Sequence, residues 1–190
     1  MGALVETDLD LMMRVRAGEE ACMQPLLEAH RARMVHFLHR MVQNQAVAEE
    51  LAQEVFLRVY RARAGYEPSA KFTAWLYRIA TNLALNWRRH RKYEGYHQSI
   101  NEVIPGRPRR ELKDRAPTID QILLDEAAVV EIRKAVAALP ARQRAVVLMH
   151  KYDGMEYSEI AQSLGCTVPT IKSLLFRAYG ALRTELGHLR

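Results

Sequence analysis

Tyr157-Ser158-Glu159-Ile160-Ala161-Gln162-Ser163-Leu164-Gly165-Cys166-Thr167-Val168-Pro169-Thr170-Ile171-Lys172 decides how the C-terminal third of this chain folds. Helical spacing runs to Leu164, Gly165 offers a stop, and Thr167 can cap a new helix that tolerates Pro169 in its first turn. Ile160, Ala161, Leu164, Ile171 and Leu175 would meet in the angle between the two helices, with Ala161 small where the backbones approach. The pattern predicts a helix-turn-helix, the arrangement that lays a second helix in the DNA major groove. Thr170, Lys172, Ser173, Phe176 and Arg177 then point away from the Ile171/Leu175 face. Arg and Lys donate to guanine or phosphate, and Phe packs on a thymine methyl. A helical hairpin used only for packing has the same spacing, so the motif alone does not settle a DNA role.

Working outward, the preceding segments are also helical. Glu126 to Leu139 reads as one helix, and Pro140 suits the first turn of the next, to about Lys151. Tyr152-Asp153-Gly154 is a turn, and the helix capped by Thr167 runs from Val168 to about Leu186. Upstream, Gly95, Pro105, Gly106, Pro108 and Pro117 break up a charged stretch that carries Arg107, Arg109, Arg110, Lys113 and Arg115. That composition reads as a flexible linker. The chain therefore divides into residues 1–95, a linker 96–124 and residues 125–190. Each folded piece lies near the lower size limit for independent stability.

The N-terminal piece is helical too. Asp8 can cap a first helix that Gly18 stops near Ala17, and a second runs from about Ala21 to Val42. In the third, about Ala46 to Arg63, the residues Ala48, Leu51, Ala52, Val55, Phe56 and Val59 form one apolar stripe. The fourth starts near Ala70, and Phe72, Trp75, Leu76, Ile79, Ala80, Leu83 and Trp87 repeat the spacing. Strand-like alternation is absent, so the fold class is all-α, two small helical domains on a tether.

Charge is distributed unevenly. The 190 residues hold 28 Lys+Arg and 22 Asp+Glu, for a formal net charge of +6. Lys71, Arg78, Arg88, Arg89, Arg91 and Lys92 fall in a stretch without Asp or Glu, whereas Asp120, Asp125, Glu126 and Glu131 cluster. Screening limits the reach of exposed charge to about 8 Å at physiological salt, so these local patches matter more than the net value. Arg78, Asn82, Asn86 and Arg89 recur at i, i+4, i+8 and i+11, beside Trp75 and Arg88. Basic residues interleaved with aromatics suit single-stranded nucleic acid, whose bases stack on rings. A solvated polar face reads the same way.

Other classes fit less well. Two cysteines make no disulfide framework, and no run of about 18 apolar residues is present to cross a membrane. Met1 to Asp10 is acidic, unlike a secretory signal, which leaves a cytoplasmic protein as the expectation. The seven histidines are scattered, and His36 and His39 have no acid or Cys to complete a metal set, so neither cofactor nor metal is expected.

Two blocks together resemble a family. One is Glu49-Glu50-Leu51-Ala52-Gln53-Glu54-Val55-Phe56-Leu57-Arg58-Val59-Tyr60 followed by Phe72-Thr73-Ala74-Trp75-Leu76-Tyr77-Arg78-Ile79-Ala80-Thr81-Asn82. The other runs from Leu139-Pro140 through the helix-turn-helix to Phe176-Arg177-Ala178. In this order and spacing the chain resembles an extracytoplasmic-function (ECF) RNA polymerase sigma factor of the sigma-70 superfamily. The resemblance implies that residues 1–95 are a region 2 bundle and residues 125–190 a region 4 helix-turn-helix. It implies docking on the β′ clamp helices of RNA polymerase core through Glu50, Gln53, Glu54, Leu57 and Arg58, which lie off the Leu51/Val55 stripe. It implies melting and capture of the promoter −10 element by Trp75, Arg78, Asn82, Asn86, Arg88 and Arg89. It implies reading of −35 duplex by Thr167, Thr170, Lys172, Ser173, Phe176 and Arg177. An anti-sigma protein, commonly membrane-associated, is implied as a partner, with Leu57 and Leu174 as exposed apolar candidates for its contact. Nothing in such a role alters a covalent bond, so the chain is not expected to be an enzyme. Pro169 and Leu174 stand where the family often has Gly and Arg, and Asn86 where it often has Asp. A regulator that binds duplex DNA without joining polymerase would account for the helix-turn-helix but not for the Glu50/Gln53/Glu54 surface.

Overall fold

The computed structural model describes residues 7–68, 71–97 and 119–189, with side chains described outside 92–126 and 189. The linker arginines Arg107, Arg109 and Arg110 therefore lie outside the described residues. Among those described, every regular element is helical.

Helix α1 spans Asp8–Arg16. Its cap is Thr7, not Asp8: the Asp10 amide donates to Thr7 Oγ1 at 3.2 Å, and the Thr7 amide donates back to Asp10 Oδ2 at 3.1 Å. This reciprocal pair satisfies two end donors at once, which a cap at Asp8 would not. Helix α2, Met23–Val42, follows a short 3₁₀ turn at Glu20–Cys22, and Gln43 ends it at φ 59°. Helix α3, Gln45–Arg61, is capped by Asn44, whose Oδ1 accepts from the Val47 amide at 3.1 Å. Helix α4 spans Phe72–His97, passing through Gly95, where the sequence suggested a break. One glycine costs about 1 kcal/mol in a helix and does not by itself end one.

Helix α5 begins at Ile119, earlier than the restart expected near Asp125, and runs to Ala138. Pro140 is the cap of α6, Ala141–Lys151, one position outside the first turn. Helix α7, Tyr157–Leu164, ends at Gly165, whose φ of 59° suits a residue without Cβ. Helix α8, Val168–Glu185, starts at Thr167, whose hydroxyl accepts from the Thr170 amide at 3.4 Å.

The apolar stripes face inward as their spacing requires. Met12, Leu26, Met34, Phe37, Leu38, Ala48, Val55, Val59 and Leu76 are buried between α1 and α4. Val146, Leu148, Met149, Ile160, Ile171, Leu175 and Ala178 are buried among α6, α7 and α8. Burying one such side chain is worth about 1.5–3 kcal/mol, so these two sets outweigh any cap or surface ion pair. The two halves also meet. Helix α7 lies against α4 and α6 against α2, making one continuous buried set.

Candidate functional site

The sequence nominates three surfaces, and the structure positions each on its own helix. On α3 the stripe Ala48, Ala52, Val55, Phe56 and Val59 is buried, which turns Glu50, Gln53, Leu57 and Arg58 to solvent. Leu57 is 49% exposed, unusual for a leucine on a helix whose apolar stripe is otherwise covered. Arg58 Nε donates to Glu54 Oε1 at 2.7 Å, and this bond holds the Glu54 carboxyl below the ordinary range. Glu50, exposed one turn earlier, is the other acid of the patch, next to Gln53 and Leu57.

A cleft of about 570 Å³ lies between α3 and α4, lined by Glu54, Arg58, Arg61, Ala62, Trp75 and Ile79. It brings the α3 patch up to Trp75, the first candidate on α4. Trp75 is half-buried, its ring 5.1 Å from Tyr66 and 6.3 Å from Phe72. At 100° per residue, Trp75, Arg78, Asn82, Asn86 and Arg89 fall within one quarter of the helix circumference. The last four are all exposed. Asn86 Oδ1 accepts from Arg89 Nη2 at 2.7 Å, tying the end of the stripe together.

Arg88 does not share that face. It is half-buried, its Nη1 has no hydrogen-bond partner among the described residues, and its charge acts on Arg144 of α6. Reading basic residues along the sequence grouped Arg88 with Arg89, but neighbours on a helix point 100° apart. The turn of the helix, applied to each residue, separates them. Beyond the stripe, the Arg91 guanidinium lies over the Trp87 ring at 5.2 Å.

On α8, Ile171, Leu175 and Ala178 are buried, and Lys172, Ser173, Phe176 and Arg177 are exposed. Phe176 is 81% exposed, so its ring is available to a partner. Arg177 Nε donates to the Ser173 carbonyl at 3.3 Å, and its Nη2 to Ser173 Oγ at 3.4 Å, which limits the range of the guanidinium. Thr167 and Thr170 pair their hydroxyls at 2.9 Å at the helix start. Leu174, expected to be an exposed apolar site, instead packs partly against the core. Ile160, Ala161, Ile171 and Leu175 meet as the spacing predicted, and Leu164 packs beside them.

The arrangement thus presents a mixed polar and apolar patch, a polar stripe beside an aromatic, and a basic helix with an exposed ring. These are groups suited to binding a partner. Among the described residues no three His, Cys, Asp or Glu side chains converge on a possible metal position. No described helix is long and apolar enough to cross a membrane.

Comparison with known proteins agrees with this layout. The sigma-70 region 2 family matches residues 26–93, and the sigma-70 region 4 family matches residues 130–182. The RNA polymerase sigma factor CarQ of Myxococcus xanthus is 32% identical over 179 residues, covering 94% of this chain and 97% of that protein. The ECF RNA polymerase sigma factor SigE of Mycolicibacterium smegmatis is 33% identical over 177 residues, covering 90% of this chain, which spans 65% of that longer relative. Among solved structures, CnrH in complex with the cytosolic domain of CnrY aligns at a TM-score of 0.70 and 20% identity, over 96% of this chain and 99% of that one. The sigma factor RpoE from Bartonella quintana, in complex with the anti-sigma factor NepR, aligns at 0.67 and 22% identity, over 88% of this chain and 98% of that one. At these identities the structural likeness speaks to the fold. A regulator that never joins polymerase is not favoured by relatives of this kind. With both regions matched in order and CarQ matched along nearly its whole length, the chain belongs to the ECF RNA polymerase sigma factors, non-enzymatic factors of transcription initiation.

Proposed function

We propose that the three surfaces divide the work of initiation. Glu50, Gln53, Glu54, Leu57 and Arg58 dock on the clamp helices of the polymerase core. Trp75, Arg78, Asn82, Asn86 and Arg89 hold the melted −10 strand, with Arg88 entering only once it leaves Arg144. Lys172, Ser173, Phe176 and Arg177 read −35 duplex from a helix start set by Thr167 and Thr170. Residues 1–95 and 125–190 act as the two working units, joined by residues 96–124.

The observation that carries this reading is the shared face of α4. Asn side chains offer both donors and acceptors to base edges, and Arg offers planar donors to phosphate. Trp75 at one end supplies a stacking surface, worth about 1–3 kcal/mol per base. Melting costs a few kcal/mol per unstacked base, so capture on such a face offsets it. The chain itself acts in the cytoplasm and catalyses no reaction. One solved neighbour is the sigma factor RpoE from Bartonella quintana in complex with the anti-sigma factor NepR. By analogy, a membrane-associated anti-sigma protein restrains this chain through an exposed face such as that around Leu57.

Two substitutions test the assignment. Gln53→Ala with Glu54→Ala is expected to weaken capture of core polymerase several-fold while the helical circular dichroism stays unchanged. An unaltered core affinity would remove α3 from the docking site. Lys172→Ala with Arg177→Ala is expected to lower affinity for −35 duplex by about 1–3 kcal/mol for each side chain that reaches a base edge. Promoter footprinting at fixed salt measures it, and an unchanged footprint would assign −35 reading to another face.

A further inference from the structure

Trp75 stands in the first turn of α4, where helix amides find no partner inside the helix. The amides of Ala74 and Trp75 share the Lys71 carbonyl, at 3.0 and 3.4 Å, and the longer of the two is a weak bond. The backbone alone does little to fix the indole. The rings beside it do more. Tyr66 lies with its centroid 5.1 Å away at a tilt of 46°, and Phe72 lies 6.3 Å away at 64°. Those two rings also meet each other, at 6.4 Å. Both are buried, whereas Trp75 is half-buried and lines the cleft between α3 and α4.

Tyr66 reaches that place from the connection between α3 and α4. A 3₁₀ turn at Arg63–Gly65 is closed by the Gly65 amide on the Ala62 carbonyl at 3.0 Å and the Tyr66 amide on the Arg63 carbonyl at 3.2 Å. Tyr66 itself is extended, with φ −68° and ψ 124°, so the turn ends there and its carbonyl takes a donor from elsewhere in the chain. That donor is Arg16 of α1, whose Nη1 lies 2.9 Å away. The Tyr66 hydroxyl is buried with no hydrogen-bond partner among the described residues, so the polar anchorage of this residue comes from its backbone. Tyr60, at the end of α3, is held as well. Its hydroxyl donates to Glu20, and the Arg63 guanidinium lies over its ring at 4.0 Å.

Helix α1 is built to carry that bond. Asp8 lies in its first turn and Arg16 in its last. At 1.5 Å per residue the two stand about 12 Å apart along the axis. Leu11, Met12 and Val15 between them are buried, which seats the helix firmly. At the first end, Asp8 Oδ2 lies 2.8 Å from His30 Nε2, and the His30 ring lies 5.5 Å from Phe72. One end of α1 therefore braces Phe72 through His30, and the other braces Tyr66 through its carbonyl. These are the two rings that flank Trp75. A bond donated by a guanidinium is stronger than one between neutral groups. Yet α1 carries none of the residues assigned to the three surfaces.

We propose that Arg16 is a positioning residue for capture of the −10 strand: by holding the Tyr66 carbonyl it fixes the ring that backs Trp75, and so α1 governs promoter opening without touching DNA. The proposal rests on the assignment of Trp75 to the melted strand made above. Binding groups work only while packing and hydrogen bonds one layer out hold them to within about 0.5 Å. Without the Arg16 bond the connection shifts, the Tyr66 ring leaves its place against Trp75, and a base stacks less well on the indole. The α3 patch and the α8 face keep their own supports, so the defect is confined to opening.

Arg16→Met keeps the aliphatic stem and removes the donor, and Arg16→Lys restores a donor. The first measurement uses the free full-length chain with Trp87→Phe, which leaves Trp75 as its one tryptophan. In Arg16→Met the Trp75 emission is expected to move to the red and to be quenched more readily by acrylamide, and in Arg16→Lys to match the parent. The second uses holoenzyme on a promoter carrying 2-aminopurine in the −10 non-template strand. Arg16→Met is expected to open it at least about fivefold more slowly, the low end of one lost stacking contact. Core affinity and the −35 footprint are expected to stay unchanged, and Arg16→Lys to open the promoter as the wild type does. Emission and opening that both match the wild type in Arg16→Met would overturn the proposal, and so would a change in one without the other. A loss of opening matched by an equal loss of core affinity would overturn it too, by making Arg16 a support of the general fold. Trp75→Ala tests the underlying assignment. If that holoenzyme opens the promoter as fast as the wild type, Trp75 captures no base and the proposal falls with the α4 reading, whereas the emission of Arg16→Met still decides whether the tie to Trp75 exists.

Discussion

Ile171→Ala is expected to cost about 2–5 kcal/mol of stability, the range for removing a large aliphatic side chain from a packed core. Ile171 is fully buried beside Ile160 and Leu175, at the angle between α7 and α8. The cost falls on a small unit. About 65 residues carry α5 to α8, and marginal domains of such size have only a few kcal/mol to lose. The cavity would also free α8 from the angle that presents Lys172 and Arg177. Urea unfolding should therefore show an early transition for the C-terminal half, and −35-dependent transcription should fall to background. Capture of core polymerase through α3 should persist, since α3 packs mainly on α2 and α4. A single unfolding transition displaced for the whole chain would mean that the contacts of α7 with α4 and of α6 with α2 join the two halves into one cooperative unit.

Ile171 is legible in the sequence and Arg144 is not. The burial of Ile171 follows from the spacing of apolar residues about Gly165, and that of Val55 from the stripe on α3. Both are local patterns, with periods of three and four residues. Helix ends were less legible, because competing caps stand side by side. Thr7 won over Asp8 because only Thr7 has Asp10 three residues on to return the hydrogen bond. The contact between the two halves was not legible at all. Arg144 meets Met41 across 103 positions, and no periodicity announces a partner at that separation. Arg144 itself reads as an ordinary surface arginine in a polar run, Arg142-Gln143-Arg144. Arg88 neighbours Arg89 in charge along the chain, but the angle round the helix puts the two on different faces.

The candidate faces divide in the same way. Asn82, Asn86 and Arg89 were assigned by helical spacing, and the structure turns all of them outward with Arg78. Phe176 was one of several residues on α8, but its exposure marks it as the least explained by packing. Leu174 looked equally apolar and equally free, yet it covers the core beside Leu175. Sequence spacing gives a residue its angle. Whether a neighbouring helix covers that angle depends on how the elements pack.

Phe37→Ala is expected to have the largest effect in the N-terminal half, about 3–5 kcal/mol for a buried phenylalanine. Phe37 is almost wholly buried on α2, and its ring meets Tyr77 edge-on with centroids 5.0 Å apart. Such pairs add about 0.5–1.5 kcal/mol beyond the area they bury. Tyr77 carries its hydroxyl to the Asp153 side, and Phe37 is the ring that backs it. Phe37→Ala should therefore lower the urea midpoint, because Tyr77 loses its packing partner as well as the buried volume. Phe37→Leu separates the two contributions: it keeps more of the volume, while Tyr77 no longer has a ring to meet edge-on. Urea unfolding followed by circular dichroism is expected to show a smaller loss in Phe37→Leu than in Phe37→Ala. Equal losses in the two variants would show that the aromatic pair, and not the volume, carries the stability at this position.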